Sequence, residues 1–295
     1  MKSIAANGVE TTGNITLTLA SPGSTVYVAM RNSSGSKQTY TFSVTDSNGV
    51  TYTGTKKANL VNGKYYNAEV DLYQDMEYVD LGVSVKWAKT NVGAPSQEAY
   101  GDYVAWGETD PYYETLSPKT WKTDKSGGYT IPNYCGASSF TEWATAPYGD
   151  ADAEGLKHLK AENDFATVRC GAAWRTPTKS ELNELLTSCT WEYVTSGVAS
   201  VNLPSFTPGV NGFLVFKGKD ATLDTSAYIF IPNAGYFGGA NNNSTDVMFW
   251  TATLYVTASN KGQHAYLFKP TGTTTPAVTY SQRRFGYPVR PVYAL

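Results

Sequence analysis

Charge is scarce in this chain. Asp, Glu, Lys and Arg make up 16% of its 295 residues, and the formal net charge is −2. The longest basic features are the pairs Lys56-Lys57 and Arg283-Arg284. Nucleic acids and anionic membranes are recognised by clustered cations that displace counterions, so this composition speaks against both as partners. The three cysteines, Cys135, Cys170 and Cys189, form no Cys-x-x-Cys pair, and an odd number cannot all pair within one chain. They are expected to be free and at least partly buried, as small hydrophobes. Nowhere do about 18 apolar residues follow one another, so no direct membrane insertion of this chain is expected. The opening MKSIAANG has no apolar stretch of signal-peptide length. The chain as given is therefore expected to be soluble, and a signal removed from an exported precursor would leave no trace in it.

Catalytic parts are also thin. The two histidines, His158 and His264, are far apart in sequence. His158 is expected on the polar face of a helix. His264 alternates with Tyr266 and Phe268 and is read as a structural imidazole on a strand. The chain contains no His-Glu-x-x-His, no Gly-x-Ser-x-Gly and no P-loop, so zinc hydrolysis, the serine-hydrolase elbow and nucleotide phosphate binding lack their basic parts. Carboxylate pairs such as Asp102 with Glu108, or Asp150 with Asp152, are available. A glycosidase needs two carboxylates at a defined separation across one bond, and acidic loops alone do not supply that. In GDYVAWGE (101–108) a loop-organising role for the acids is expected instead. The reading is therefore a non-enzyme, with no catalytic residue, no metal site and no cofactor.

What the chain does have is tyrosine: 22 Tyr against 11 Phe, with aromatics at 14%. Tyr offers a flat apolar face and stays half wet, which suits a β-rich binding surface. Residues 1–72 read as β. Asn14–Leu19, Ser24–Met30 and Tyr40–Thr45 alternate apolar residues with Thr or Ser, the period of a strand with one wet face. Turn signals stand at Asn48-Gly49 and Asn62-Gly63, the latter leading into a strand over Lys64–Leu72. All seven tryptophans lie between Trp87 and Trp250, which sets a boundary near residue 75. Two domains result, 1–74 and 75–295.

In the second domain the spacing predicts about two helices. Thr178 and Glu181 form the Thr-x-x-Glu capping box, with Leu182, Leu185 and Leu186 on one face. A weaker helix is expected over Asp150–Val168. Strands are expected at Gly212–Lys217, Ala227–Ile231, Phe249–Thr253, His264–Lys269 and Tyr287–Val292. The fold class is α+β, mostly β.

Six motifs, in matching order over roughly 77–293, resemble the Fibrobacter-type major paralogous domain family. They are EYVDLGVSVKWAKTNVGAPSQEAYGDYVAWGE, ATVRCGAAWRTPTKSELNELLTSCTW, GVNGFLVF, IFIPNAGYF, FWTAT and VRPV. That resemblance implies a C-type lectin-like fold, with long loops displayed at one end. Residues 13–72 resemble the closing part of a fimbrillin-type pilin β-sandwich, through SPGSTVYVAMR, TYTFSVTDSNGVTYTGTK and LVNGKYYNAEVDL. The segment is shorter than a whole pilin domain, so the natural chain is expected to be longer at its N-terminus or the domain unusually small. Together the two resemblances imply an adhesin of the bacterial cell surface, on the outer membrane or a fimbrium. Its partners would be a host or bacterial surface protein or glycan, with other pilins in the stalk. Since the chain stops just past VRPV, with no spare strand to donate, a tip position is expected.

Formylglycine-generating chemistry, known for some lectin-like folds, would need active cysteines near the chain end, and none follows Cys189. Ile231-Pro232-Asn233 lacks the acid of calcium-dependent sugar motifs, and Thr-Ala follows Trp250, so calcium-mediated sugar binding is not expected. Binding by loops remains. The segments Tyr236–Asp246, Tyr255–Gln263 and Thr271–Arg284 mix stiff aromatics with adaptable polar groups, as antibody paratopes do. The expected ligand-binding residues are Tyr236, Asn241, Asn243, Asp246, Tyr255, Asn260, Gln263, Ser281, Arg283 and Arg284. The same region corresponds to the part that varies in retroelement-diversified lectin-like proteins, which enrich Asn, Tyr, Ser, Thr and Asp. The alternatives are a phage receptor-binding protein, or a carbohydrate-binding or carbohydrate-active protein.

Overall fold

The computed structural model describes residues 2–4, 10–12, 30–31, 36–61, 64, 66, 69–111, 113–116, 119–121, 148–151, 155–237, 242–243, 246–255, 264–271, 274–283 and 285–294. By its contacts the chain divides into two compact units. One comprises Met1–Val44 with Tyr52–Leu72, the other Thr45–Thr51 with Tyr73–Leu295.

The first unit contains the antiparallel strands β1 (Lys2–Ile4), β2 (Glu10–Thr12) and β3 (Met30–Arg31), in the order β2-β1-β3. Strands β4 (Gln38–Thr45) and β5 (Thr51–Ala58) neighbour each other and are joined by the expected turn. Asp46 organises that turn, its carboxylate accepting the Asn48 and Val50 amides, and Gly49 takes φ 84°. The expected strands at 14–19 and 24–29 lie outside the described residues. Residues 64–72 are described in part, and those described form no strand. They lie against β5 instead, where a Cβ on Gly54 would come 2.2 Å from the Asp71 carbonyl oxygen.

The second unit is mostly β with two α-helices among its described residues. In chain order its strands begin with β6 (Tyr73–Gln74), β7 (Tyr78–Val79), β8 (Lys86–Ala88), β9 (Tyr113–Leu116), β10 (Lys119–Trp121), β11 (Tyr148–Ala151) and β12 (Lys157–Leu159). Then come helix α1 (Phe165–Cys170), β13 (Trp174–Arg175), helix α2 (Lys179–Ser188), β14 (Thr190–Val194), β15 (Gly212–Lys217) and β16 (Asp224–Pro232). The unit closes with β17 (Tyr236–Phe237), β18 (Asn242–Asn243), β19 (Phe249–Tyr255), β20 (His264–Phe268), β21 (Val278–Gln282) and β22 (Val292–Tyr293). Three antiparallel sheets dominate, ordered β11-β12-β19-β20-β21, β13-β22-β8-β7 and β14-β15-β16.

The apolar run of β15 is buried from Gly212 to Phe216, as a strand covered on both faces requires. One core gathers Trp106, Trp250, Leu254, Ala265, Leu267 and Tyr287. A second packs Leu182 and Leu185 of α2 against Trp87, Phe213, Phe249 and Phe268. Both described cysteines, Cys170 and Cys189, are free and buried; Cys135 lies outside the described residues.

Helix α2 begins as its sequence dictates. Thr178 accepts the Glu181 amide, and Glu181 reciprocates by accepting the Thr178 amide. Glu181 also pairs with Arg175 through both carboxylate oxygens. Desolvation alone would raise the Glu181 pKa, but the Arg175 hydrogen bond and charge, with the Thr178 bonds, hold it below the usual carboxylate value. A depressed carboxylate contributes stability above its unfolded pKa and loses it as pH falls through the lower folded value. Urea midpoints are therefore expected to drop on acidification below about pH 4.5. Glu181→Gln should flatten that decline; an unchanged pH profile would show that the pair contributes nothing.

Two expectations are corrected. Residues 150–168 are not a helix. They hold the end of β11, then β12, a single 3₁₀ turn at Ala161–Asn163 and the start of α1. Gly155 takes φ 74°, and Asp164 is extended, so its side chain starts a new helix rather than continuing one. His158 consequently sits on β12, opposite Thr253, with Nδ1 2.9 Å from the Thr253 hydroxyl. The expected strand at Tyr287–Val292 is also shorter, because Pro288 and Pro291 carry no N–H for a ladder. The carbonyls of this segment instead accept from separate elements: Pro288 from the Trp250 amide, Val289 from Val92 and Pro291 from Ala88. Between those prolines Arg290 is fully buried, donating to the carbonyls of Ala88, Lys89 and Phe230.

Candidate functional site

The motif FWTAT holds a register shift. Phe249 faces Phe268 and Trp250 faces Leu267, whereas Leu254 faces Ala265 and Tyr255 faces His264. Two extra residues are therefore accommodated on β19 between these pairs, and Thr251 and Thr253 there are fully buried. They are not wasted polar groups. The Thr251 carbonyl accepts Trp106 Nε1 at 2.7 Å, and its hydroxyl donates to the Tyr266 carbonyl at 2.8 Å. The Thr253 hydroxyl accepts the Lys179 amide at 2.9 Å, and the Ala252 amide donates to the Pro177 carbonyl. The irregular stretch of β19 thus anchors the start of α2 over the sheet.

Beyond that anchor the sheet face opens. Opposite residues on antiparallel strands share a face, so the pairs Tyr255–His264 and Tyr266–Tyr280 project together. Tyr255 and Tyr280 stack with centroids 3.9 Å apart and planes 5° from parallel, reaching toward each other from the strands on either side of β20. Tyr255 meets Tyr266 edge-on at 5.1 Å, and His264 meets Tyr280 edge-on at 5.5 Å. Tyr280 is 48% exposed and the other three rings are half-buried. Lys179 at the start of α2 places its ammonium 4.4 Å from the Tyr266 ring centroid, a cation–π contact.

The patch is electrically quiet. Desolvation lowers the His264 pKa, so the imidazole is neutral at pH 7. Desolvation, followed by Tyr280 and Tyr266, raises the Tyr255 phenol above its ordinary value. His264 Nδ1 is buried and has no hydrogen-bond partner among the described residues. Such a surface offers flat apolar rings, phenol hydroxyls and one ammonium. It suits ligands with apolar faces and hydroxyl or amide groups.

The ten expected ligand-binding residues do not form one surface. Tyr255 is on the aromatic patch. Ser281 faces Ala265, hence the opposite side of the sheet, and its hydroxyl lies 2.8 Å from the Tyr287 hydroxyl. Tyr236 stacks on Tyr287 and packs on Phe285, on that same opposite side. Asp246 is half-buried, 3.9 Å from Lys269 Nζ, and its carbonyl accepts the Gly235 amide. Asn243 pairs with Tyr236 in the β17–β18 ladder. Arg283, expected in a ligand-binding loop, is instead fully buried with its guanidinium 4.7 Å from the Trp106 ring centroid. A ligand cannot reach it there, because Trp106 draws the planar cation inward to cover its own ring. Asn241, Asn260, Gln263 and Arg284 lie outside the described residues.

Sequence reasoning missed Tyr266, Tyr280 and Lys179, and read His264 only as structural. Tyr266 and Tyr280 are brought together by the β20–β21 register, which no local sequence pattern carries. Lys179 reaches the patch from a helix distant in sequence.

No family model, no curated protein and no solved structure matches the chain. In GDYVAWGE, Trp106 is buried, and Gly101 and Gly107 take φ 78° and 85°. Asp102 lies close enough to Gly93 that a Cβ there would come 2.3 Å from its carboxylate oxygen. Among the described residues no group of three or more His, Cys, Asp or Glu is placed to hold a metal ion. A recess of about 300 Å³ lies beside Pro95, Tyr100 and Tyr103, and among the described residues no charged side chain lines it.

Proposed function

We propose that this protein is a non-enzymatic adhesin of a bacterial cell surface, with a lectin-like second domain at a pilus tip. In this reading it binds a surface protein or glycan through the end of the β19–β20–β21 sheet and the adjoining C-terminal loops. The observation that carries the reading is the neutral aromatic patch of Tyr255, Tyr266, Tyr280 and His264. Mutually braced, partly exposed tyrosines suit a binding hot spot, because they bury area at little entropic cost. The resemblance to the Fibrobacter-type domain and to fimbrillin-type pilins supplies the cellular setting.

Glycan and surface-protein arrays would first identify a ligand, after which the double variant Tyr255→Ala/Tyr280→Ala is measured against it. Binding should fall by about 30-fold or more, the effect of losing a hot spot of ~2 kcal/mol. The melting temperature should fall only modestly, since Tyr280 is half exposed and Tyr255 half-buried at the end of β19. Retained affinity in a folded double variant would move the binding surface elsewhere.

A further inference from the structure

We propose that Tyr255 and Tyr280 form an oxidative cross-linking site, a pair of phenols positioned to become an intramolecular dityrosine. This does not rest on the ligand reading above, since it follows from ring geometry alone. Joining two phenols through their ring carbons requires two side chains in contact, parallel enough for the positions beside each hydroxyl to meet, and open to an oxidant. Three stacked tyrosine pairs occur among the described residues, and they differ in how far they meet those conditions.

Tyr236 and Tyr287 stand 5.4 Å apart at 22°, and Tyr287 is only 4% exposed. Tyr78 and Tyr293 are 5.0 Å apart at 27°, with the Lys86 ammonium 4.6 Å from the centroid of the Tyr78 ring. Tyr255 and Tyr280 are 3.9 Å apart at 5°. Tyr280 is 48% exposed and Tyr255 is half-buried, so small oxidants reach the pair. The pair meets all three conditions best: Tyr287 is shut away from oxidant, and Tyr78, although 44% exposed, stands farther from its partner ring and less parallel to it.

The oxidant is hydrogen peroxide acting through a haem peroxidase. Each phenol gives up one electron and its hydroxyl proton, leaving two phenoxyl radicals whose spin extends onto the adjacent ring carbons. A carbon–carbon bond forms between those carbons. The hydrogen on each bonded carbon then shifts to its oxygen and restores both phenols. Peroxide takes the two electrons and two protons and becomes two waters. The product lacks two hydrogens and ties β19 to β21 across β20.

The test treats the intact protein briefly with peroxide and a haem peroxidase, isolates the monomer and maps linked peptides by mass spectrometry. The expected result is dityrosine fluorescence in the monomer, with Tyr255 joined to Tyr280 as the dominant link and a two-hydrogen mass loss. Tyr255→Phe and Tyr280→Phe, which keep a ring in the stack, should each abolish that product, whereas Tyr78→Phe should leave its yield intact. Three results would overturn the proposal: a dominant link elsewhere, only links between molecules, or undiminished monomer fluorescence in Tyr255→Phe.

Discussion

Arg290→Met is expected to cost about 4 kcal/mol of stability, read as a fall in the urea midpoint at unchanged slope. The guanidinium is wholly buried and its partners are backbone carbonyls: Ala88 and Lys89 on one nitrogen, Phe230 on the other. Ala88 ends β8, Lys89 follows it, and Phe230 is inside β16, so one side chain joins the two sheets to the proline segment. Burial pulls its pKa down to about 9, and it stays charged at neutral pH. Methionine fills much of the volume but donates nothing, leaving up to three interior carbonyls unpaired at ~1–3 kcal/mol each. Relief from desolvating a cation offsets part of that loss. Arg290→Lys should fail too, because a single ammonium cannot span the directions covered by the planar fork. A methionine variant within ~1 kcal/mol of the parent, below the cost of a single orphaned carbonyl, would mean that relaxation or water replaces the clamp.

Asp164→Ala is the second large effect, at about 3–4 kcal/mol. Asp164 caps α1 by accepting the Ala166 and Thr167 amides, and it also accepts the Thr176 amide and hydroxyl. Thr176 is buried, so alanine leaves these donors without a partner in the interior. Asp164→Asn keeps one acceptor oxygen and should cost roughly half as much. Burial pushes the Asp164 carboxyl up, against the opposing hydrogen bonds. A raised carboxyl pKa makes the folded state bind the proton more readily, so acidification through that range favours folding at this site. The sign is opposite to that of Glu181, and the two variants should therefore shift the acid limb of the stability curve in opposite directions. If Asp164→Ala and the parent have equal urea midpoints, the buried network does not hold α1 in place.

Local signals were readable and distant ones were not. The capping box of α2 depends on residues three apart, and β15 announces itself by an uninterrupted apolar run, so both lie where the sequence places them. The stretch 150–168 mixes Ala, Leu and charged residues as a helix would, yet His158 is claimed by Thr253 from across the sheet. No local pattern carries that pairing. Arg283 reads as one half of a solvated basic pair until Trp106 is seen beneath it. Likewise Tyr255, Tyr236 and Ser281 look like one polar-aromatic region, and only strand register separates them onto two faces. The aromatic patch was half legible: its tyrosine supply and its location were, its membership was not.

The sheet β13-β22-β8-β7 sets when this unit can fold. Val292 pairs with Trp87, and Tyr293 with Lys86, so strands near the two ends of the unit are neighbours. Trp87 is fully buried and packs edge-on against Phe249 at 6.3 Å. A nascent chain cannot complete that pairing before residues 292–293 emerge. Contacts of such long sequence separation slow folding, because the closure entropy is spent before the contacts repay it. The native packing of this sheet is thus completed only when the strand at Val292–Tyr293 arrives.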